Sequence, residues 1–105
     1  MAHLKLFWTI TAKKQRDHVF EYWNSRNGNT HFSKKLNKKI RERTSLLKSY
    51  PFLGNETGKW ENRSASLGHY SIIYKVVAEK ILITAFWDNR QQSEKLYKIL
   101  KNMSE

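Results

Sequence analysis

The 105-residue chain contains no cysteine. Disulfides and thiolate zinc sites are therefore excluded, and a reducing cytosol is the expected compartment. Its one proline and four glycines form no linker, repeat or low-complexity tract, and no Gly-rich phosphate loop is present. No stretch approaches the roughly 20 apolar residues of a membrane span. The start, MAHLKLFWTITAKK, has only a short apolar run and no small-residue cleavage signal. A soluble cytoplasmic protein is expected, without a membrane partner. Acidic residues are also scarce. Against 9 Asp and Glu stand 20 Lys and Arg, a formal charge of +11. Such an excess on a small chain predicts an acidic partner: nucleic acid, an anionic membrane face or an acidic protein. His3, His18, His31 and His69 lack ligand-like spacing and no carboxylate pair stands out, so neither a metal nor another cofactor is expected.

Aromatic residues, by contrast, are plentiful. Four Trp, five Tyr and five Phe argue against a disordered polycation. The length suits one domain, residues 1–105, with a single core. The stretch from Leu67 to Arg90 organises it. Val76, Val77, Ile81, Leu82 and Ile83 read as two largely buried strands broken at Ala78-Glu79-Lys80, and the second ends in Trp87-Asp88-Asn89-Arg90. A polar and aromatic cluster at the end of a core strand is a rigid place for a working site.

Upstream, Leu4, Leu6, Trp8 and Ile10 alternate with Lys5, Phe7 and Thr9 as a first strand. Thr11 suits the N-cap of a first helix from Ala12 to about Arg26, with Val19, Phe20 and Trp23 on one face. Gly28 sits in the turn NSRNGNT. A second helix is expected from about His31 to Ser49, where Phe32, Leu36, Ile40 and Leu47 keep helical spacing among Lys34, Lys35, Lys38, Lys39, Arg41 and Arg43. Pro51 and Gly54 end it. A polar loop, Asn55 to Asn62, follows, with Trp60 as its expected anchor. Arg63, Ala65 and Leu67 form a short second strand, and Gly68-His69 a hairpin turn into Tyr70. Ser93 is the expected N-cap of a last helix carrying Leu96, Ile99, Leu100 and Met103 on one face. The predicted order is β-α-α-β-β-β-α.

That order, with this charge and size, resembles the RelE/ParE family of bacterial type II toxins. The resemblance runs from about Leu4 to Leu100. It is carried by the opening strand into Thr11-Ala12, the Pro51 and Gly54 pair, Arg63 with Leu67-Gly68-His69-Tyr70-Ser71-Ile72-Ile73-Tyr74, and Phe86-Trp87-Asp88-Asn89-Arg90. It implies an α+β fold, a small, mainly antiparallel four-stranded sheet packed on an N-terminal helical hairpin. It also implies a toxin neutralised by a cognate antitoxin, for which the charge predicts an acidic protein.

The RelE branch looks like a set of ribosome-dependent messenger RNA endoribonucleases, with the ribosome and mRNA as partners. Attack of a ribose 2′-hydroxyl on the adjacent phosphate needs a base, cations for the transition state and a proton donor for the leaving oxygen. By this resemblance Arg90 fills the cationic role and Tyr97 stacks on a base or donates a proton; Arg63, on the neighbouring strand, is the candidate second phosphate clamp, and His69, in the turn opposite, is the histidine at this end that can transfer a proton at neutral pH. Each has a plainer reading. Arg90 pairs with Asp88, Arg63 is surface charge, Tyr97 packs beside Leu96, His69 is a turn residue and the Lys-rich helix is a solvated face. Ser71 stands where the nucleases commonly carry an arginine. ParE-like members keep the scaffold without the full set and are associated with poisoning DNA gyrase, so this departure raises that alternative, while inhibition of translation as a ribosome-dependent mRNA endoribonuclease remains the expected function. A non-catalytic RNA-binding protein, using charge and exposed aromatics, is the third reading.

Overall fold

Two long strands, β4 (Tyr70–Val77) and β5 (Lys80–Asp88), form the middle of the computed structural model, which describes residues 4–104. His3 lies outside the described residues. The hairpin turns on Ala78-Glu79, with Ala78 in the left-handed region at φ 54°. On one side of the hairpin β3 (Arg63–Leu67) pairs antiparallel with β4 through the Gly68-His69 turn. On the other β1 (Lys5–Trp8) pairs parallel with β5. The sheet is thus mainly antiparallel, as expected, but it has five strands. Asn55–Glu56 (β2), expected within a loop, pairs with Ser64 and Arg63, giving the order β1-β5-β4-β3-β2. Two polar residues carry no periodicity from which a strand can be read.

Between β1 and β2 lie α1 (Ile10–Asn27) and α2 (His31–Ser49). The first strand is shorter than its alternation suggests, and the cap lies two residues earlier than Thr11. Thr9 is extended at φ −66°, ψ 159°, and its Oγ1 accepts a 3.1 Å bond from the Ala12 N–H. Ile10 therefore joins the helix and is 76% exposed. Gly28 closes α1 at φ 68°, its N–H donating to the Asn24 carbonyl. The helical hairpin covers one sheet face. Ala12, Leu36, Ile40 and Leu47 pack there with Ala65, Leu67, Tyr70, Ile72, Tyr74, Ile81, Ile83 and Phe86. The opposite face takes α3 (Ser93–Ser104), whose Leu96 and Leu100 pack on Ile73, Ala85 and Trp87. Trp87 is thus a packing residue, and the sheet is buried on both faces.

A register shift near Ile73 and Tyr74 lets Ile83 and Phe86 share the hairpin face although three residues apart. Thr84 occupies the irregularity. Its buried Oγ1 donates to the side-chain oxygen of Asn62 at 2.6 Å. Asn62, rather than Trp60, anchors the 57–62 loop. Its amide donates to the carbonyls of Lys59 and Trp60, whereas Trp60 is 38% exposed. Trp60 and Glu61 adopt φ values of 49° and 61°. Side chains rarely adopt such angles unless neighbours hold them there.

Candidate functional site

At the far end of β5, Asp88 lies opposite Tyr70. Arg90 grips its carboxylate with Nε at 2.9 Å and Nη2 at 2.7 Å, and the Arg90 backbone N–H adds a third bond at 3.0 Å. The side-chain bonds from Arg90 hold the Asp88 carboxyl below its ordinary range, and Asp88 in turn raises the Arg90 guanidinium. Together they form one wall of a cleft of about 260 Å³, lined also by His18, Val19, Tyr22, Tyr70 and Gln91. The cleft lies on the hairpin side of the sheet. Its floor is fixed by Tyr70, whose hydroxyl accepts a 2.8 Å bond from Trp23 Nε1 and whose ring stacks on Phe86 at 5.2 Å.

Tyr97 lies on the other side of the sheet. A second cleft, about 240 Å³, opens between the sheet and the start of α3, with Thr57, Ser64, Ser71, Asn89, Gln91, Ser93 and Tyr97 in its lining. The lining residues are uncharged. Ser71 Oγ donates to Asn89 Oδ1 at 2.8 Å across its floor, and Lys59 Nζ lies over the Tyr97 ring at 4.9 Å.

Arg63 is at neither place. It pairs with Tyr74, four residues along β4 from Tyr70 and so roughly 13 Å away. There its guanidinium donates to the Gly54 carbonyl at 2.8 Å and the Phe52 carbonyl at 3.3 Å, pairs with Glu56 at 3.2 Å and covers the Phe52 ring. Its donors brace the chain leaving α2. His69 is exposed in the β3–β4 turn, where its carbonyl accepts from the Asn89 N–H at 2.8 Å, and its charge helps lower Asp88. The fold therefore brings His69 and Arg90 to one end, and places Arg63 away along the sheet and Tyr97 across it. Sequence reasoning missed Tyr22 and His18, although their spacing of four, continued by Lys14 and Arg26, is visible in the sequence.

Comparison with known proteins decides the family. Residues 6–93 match the family model described as the ParE toxin of the type II toxin-antitoxin system parDE. The chain belongs to the ParE toxin family. As a toxin of such a system, it has an antitoxin as its partner. A solved structure, described as the chromosomal ParDE TA system from P. aeruginosa, shares the fold with a TM-score of 0.68. The likeness is 19% in sequence and spans 80% of this chain and 94% of that one. No curated protein matches this ParE-family chain in sequence. Among the described residues no helix is long and apolar enough to cross a membrane, and no group of three or more His, Asp and Glu side chains converges as a metal site.

Proposed function

We propose that this ParE-family toxin inhibits DNA gyrase in the cytoplasm and does not cleave messenger RNA. One observation carries the reading: no arginine lines the cleft beside Tyr97, where Ser71 is bonded to Asn89 at the position at which a nuclease of the RelE branch would present one, and the cation at its edge is Lys59, held over the Tyr97 ring. Phosphate cleavage places extra negative charge on its transition state, and preorganised cations are the usual means of stabilising it. Arg90 answers to Asp88 on the other side of the sheet, and Arg63 is spent on the chain after α2. Neither shares a cleft with Tyr97.

Induction of the toxin in cells, with supercoiling and transcript integrity followed in parallel, tests the proposal. Trapped or inhibited gyrase with intact transcripts is the expected result. Transcripts cut in the ribosomal reading frame, with normal supercoiling, would overturn it and restore the nuclease reading. The antitoxin of this toxin is proposed to be acidic, because the exposed Lys34, Lys35, Lys38, Lys39 and Arg41 of α2 have few carboxylates beside them.

A further inference from the structure

One face of α1 is unlike the rest of the basic surface. Lys14, His18, Tyr22 and Arg26 follow one another at intervals of four and are all exposed. At that spacing they form one stripe along the helix, roughly 18 Å long. Tyr22 is 51% exposed, yet it is backed by a fixed aromatic column. Its ring meets Trp23 edge to face at 5.2 Å, Trp23 packs on Phe32 at 4.5 Å, and the indole N–H is held by Tyr70. Arg26 reaches the Tyr22 hydroxyl at 3.5 Å and lies 5.9 Å from the Trp23 ring centre. Across the 260 Å³ cleft stands Arg90. Asp88 occupies its Nε and Nη2 and so fixes the plane of the guanidinium, leaving the Nη1 donors for another anion. The only carboxylate lining the cleft is thereby already paired.

The groove along α2 offers a contrast. It is lined by Lys39, Glu42, Arg43, Leu46, Ser66, Leu67 and Gly68, without an aromatic ring and with a carboxylate among the cations, Glu42, that forms no ion pair among the described residues. Charge alone attracts any polyanion. A rigid exposed ring beside oriented guanidinium groups adds something that a duplex cannot use, because its bases are already stacked.

We propose that the Lys14–His18–Tyr22–Arg26 face of α1, with Arg90 across the cleft, binds a single-stranded nucleic acid segment. One base stacks on Tyr22, the flanking phosphates meet Arg26 and Arg90, and Lys14 and His18 continue the track. The site goes beyond gyrase inhibition and does not require it.

Fluorescence anisotropy on the full chain, with a short labelled oligothymidylate, an oligouridylate of the same length and a duplex, tests the site. Both single strands are expected to bind more tightly than the duplex, and their order tells whether DNA or RNA is preferred. Tyr22→Ala should weaken single-strand binding about tenfold, while Tyr22→Phe, which keeps the ring, should not. Arg90→Gln should lower the slope of log affinity against log salt by about 0.7, the loss of one phosphate contact, and gives a second readout should Tyr22→Ala fold poorly. Absence of binding, equal binding of duplex and single strand, or unchanged affinity in Tyr22→Ala and an unchanged slope in Arg90→Gln would each overturn the site. Gyrase inhibition that survives any of those results leaves the proposed function standing. Single-strand binding without gyrase inhibition removes that function and keeps the site.

Discussion

The buried hydroxyl of Thr84 donates a 2.6 Å hydrogen bond to the side-chain oxygen of Asn62, tying the irregularity in β5 to the loop before β3. Asn62 is 3% exposed and spends its amide N–H groups on the carbonyls of Lys59 and Trp60. This one side chain therefore couples the sheet centre to a loop that holds Trp60 and Glu61 at positive φ.

Thr84→Val removes the donor and leaves the Asn62 oxygen buried without a partner. The expected loss is about 1–3 kcal/mol of stability, read from the urea midpoint at unchanged slope. Thr84→Ser, which keeps the hydroxyl, should recover most of it. A Val variant as stable as the parent would show that the loop does not depend on this bond.

Tyr74 makes the corresponding tie on the other side of the loop. Its hydroxyl donates to the Pro51 carbonyl at 2.8 Å and accepts from the Gly54 N–H at 2.9 Å. A Cβ on residue 54 would lie 2.7 Å from that hydroxyl and 3.0 Å from the Ser64 carbonyl oxygen. Gly54→Ala should therefore cost about 1–3 kcal/mol by overpacking. Burial, opposed by the Gly54 N–H and the Arg63 charge, raises the Tyr74 pKa above its usual 10.0. The folded state thus favours the neutral phenol. That contribution is complete below pH 10.0 and is lost as pH rises through the folded value. Tyr74→Phe should flatten the alkaline limb of the stability curve. An identical limb in the Phe variant would assign it to other groups.

Much of this architecture was legible from residue order. The buried β4–β5 pair, the start of α2 at His31 and the Gly28 stop follow from local apolar spacing and turn chemistry, and all three stand in the structure. Thr9 and Thr11 were harder to separate, because the alternation of Leu4, Leu6 and Trp8 continues into Ile10 and only the cap bond reveals where the strand ends. The pairing of Asn55–Glu56 and the anchoring by Asn62 depend on partners many residues away. For the same reason the sequence could propose Arg63, His69, Arg90 and Tyr97 as neighbours but could not place them on faces. That follows from the register of β3, β4 and β5.

The Asp88–Arg90 pair has a titration signature. Arg90 holds the folded pKa of Asp88 below the usual 3.8, so the associated stability is present above that value and is lost as pH falls through the folded value. A carboxyl-detected NMR titration should place Asp88 below 3.8. In Arg90→Gln it should move back toward 3.8. If Asp88 titrates identically in both proteins, the pair does not persist in solution.

Association with the antitoxin should depend on salt. The cations of α2 attract an acidic partner over a Debye length of about 10 Å at 0.1 M salt, and less at higher concentration. Added salt should slow association more than it speeds dissociation. Replacing Lys38 and Lys39 together by Gln should lower the association rate at low salt with little effect at high salt. Stopped-flow mixing of toxin and antitoxin at several ionic strengths measures this, and a salt-independent rate would rule out electrostatic steering.

Tyr97 separates the gyrase and nuclease readings by growth inhibition, and Arg90 tests whether the end of β5 carries the toxicity under either. Tyr97→Phe removes only a hydroxyl from a cleft that no arginine lines, and its ring keeps its place under Lys59. If that hydroxyl donates no proton to a leaving oxygen, the variant should remain fully toxic. A nuclease relying on it would lose about 10²–10⁴-fold in rate, the usual contribution of a positioned acid, and would be tolerated by cells. Arg90→Ala is expected to abolish toxicity with the fold intact, since Arg90 is exposed and its ion pair is with Asp88, only two residues away. Circular dichroism and thermal melting of both variants keep folding apart from function. A harmless Tyr97→Phe protein that folds normally returns the Tyr97 cleft to the centre of the chemistry, and a toxic Arg90→Ala protein removes the end of β5 from it.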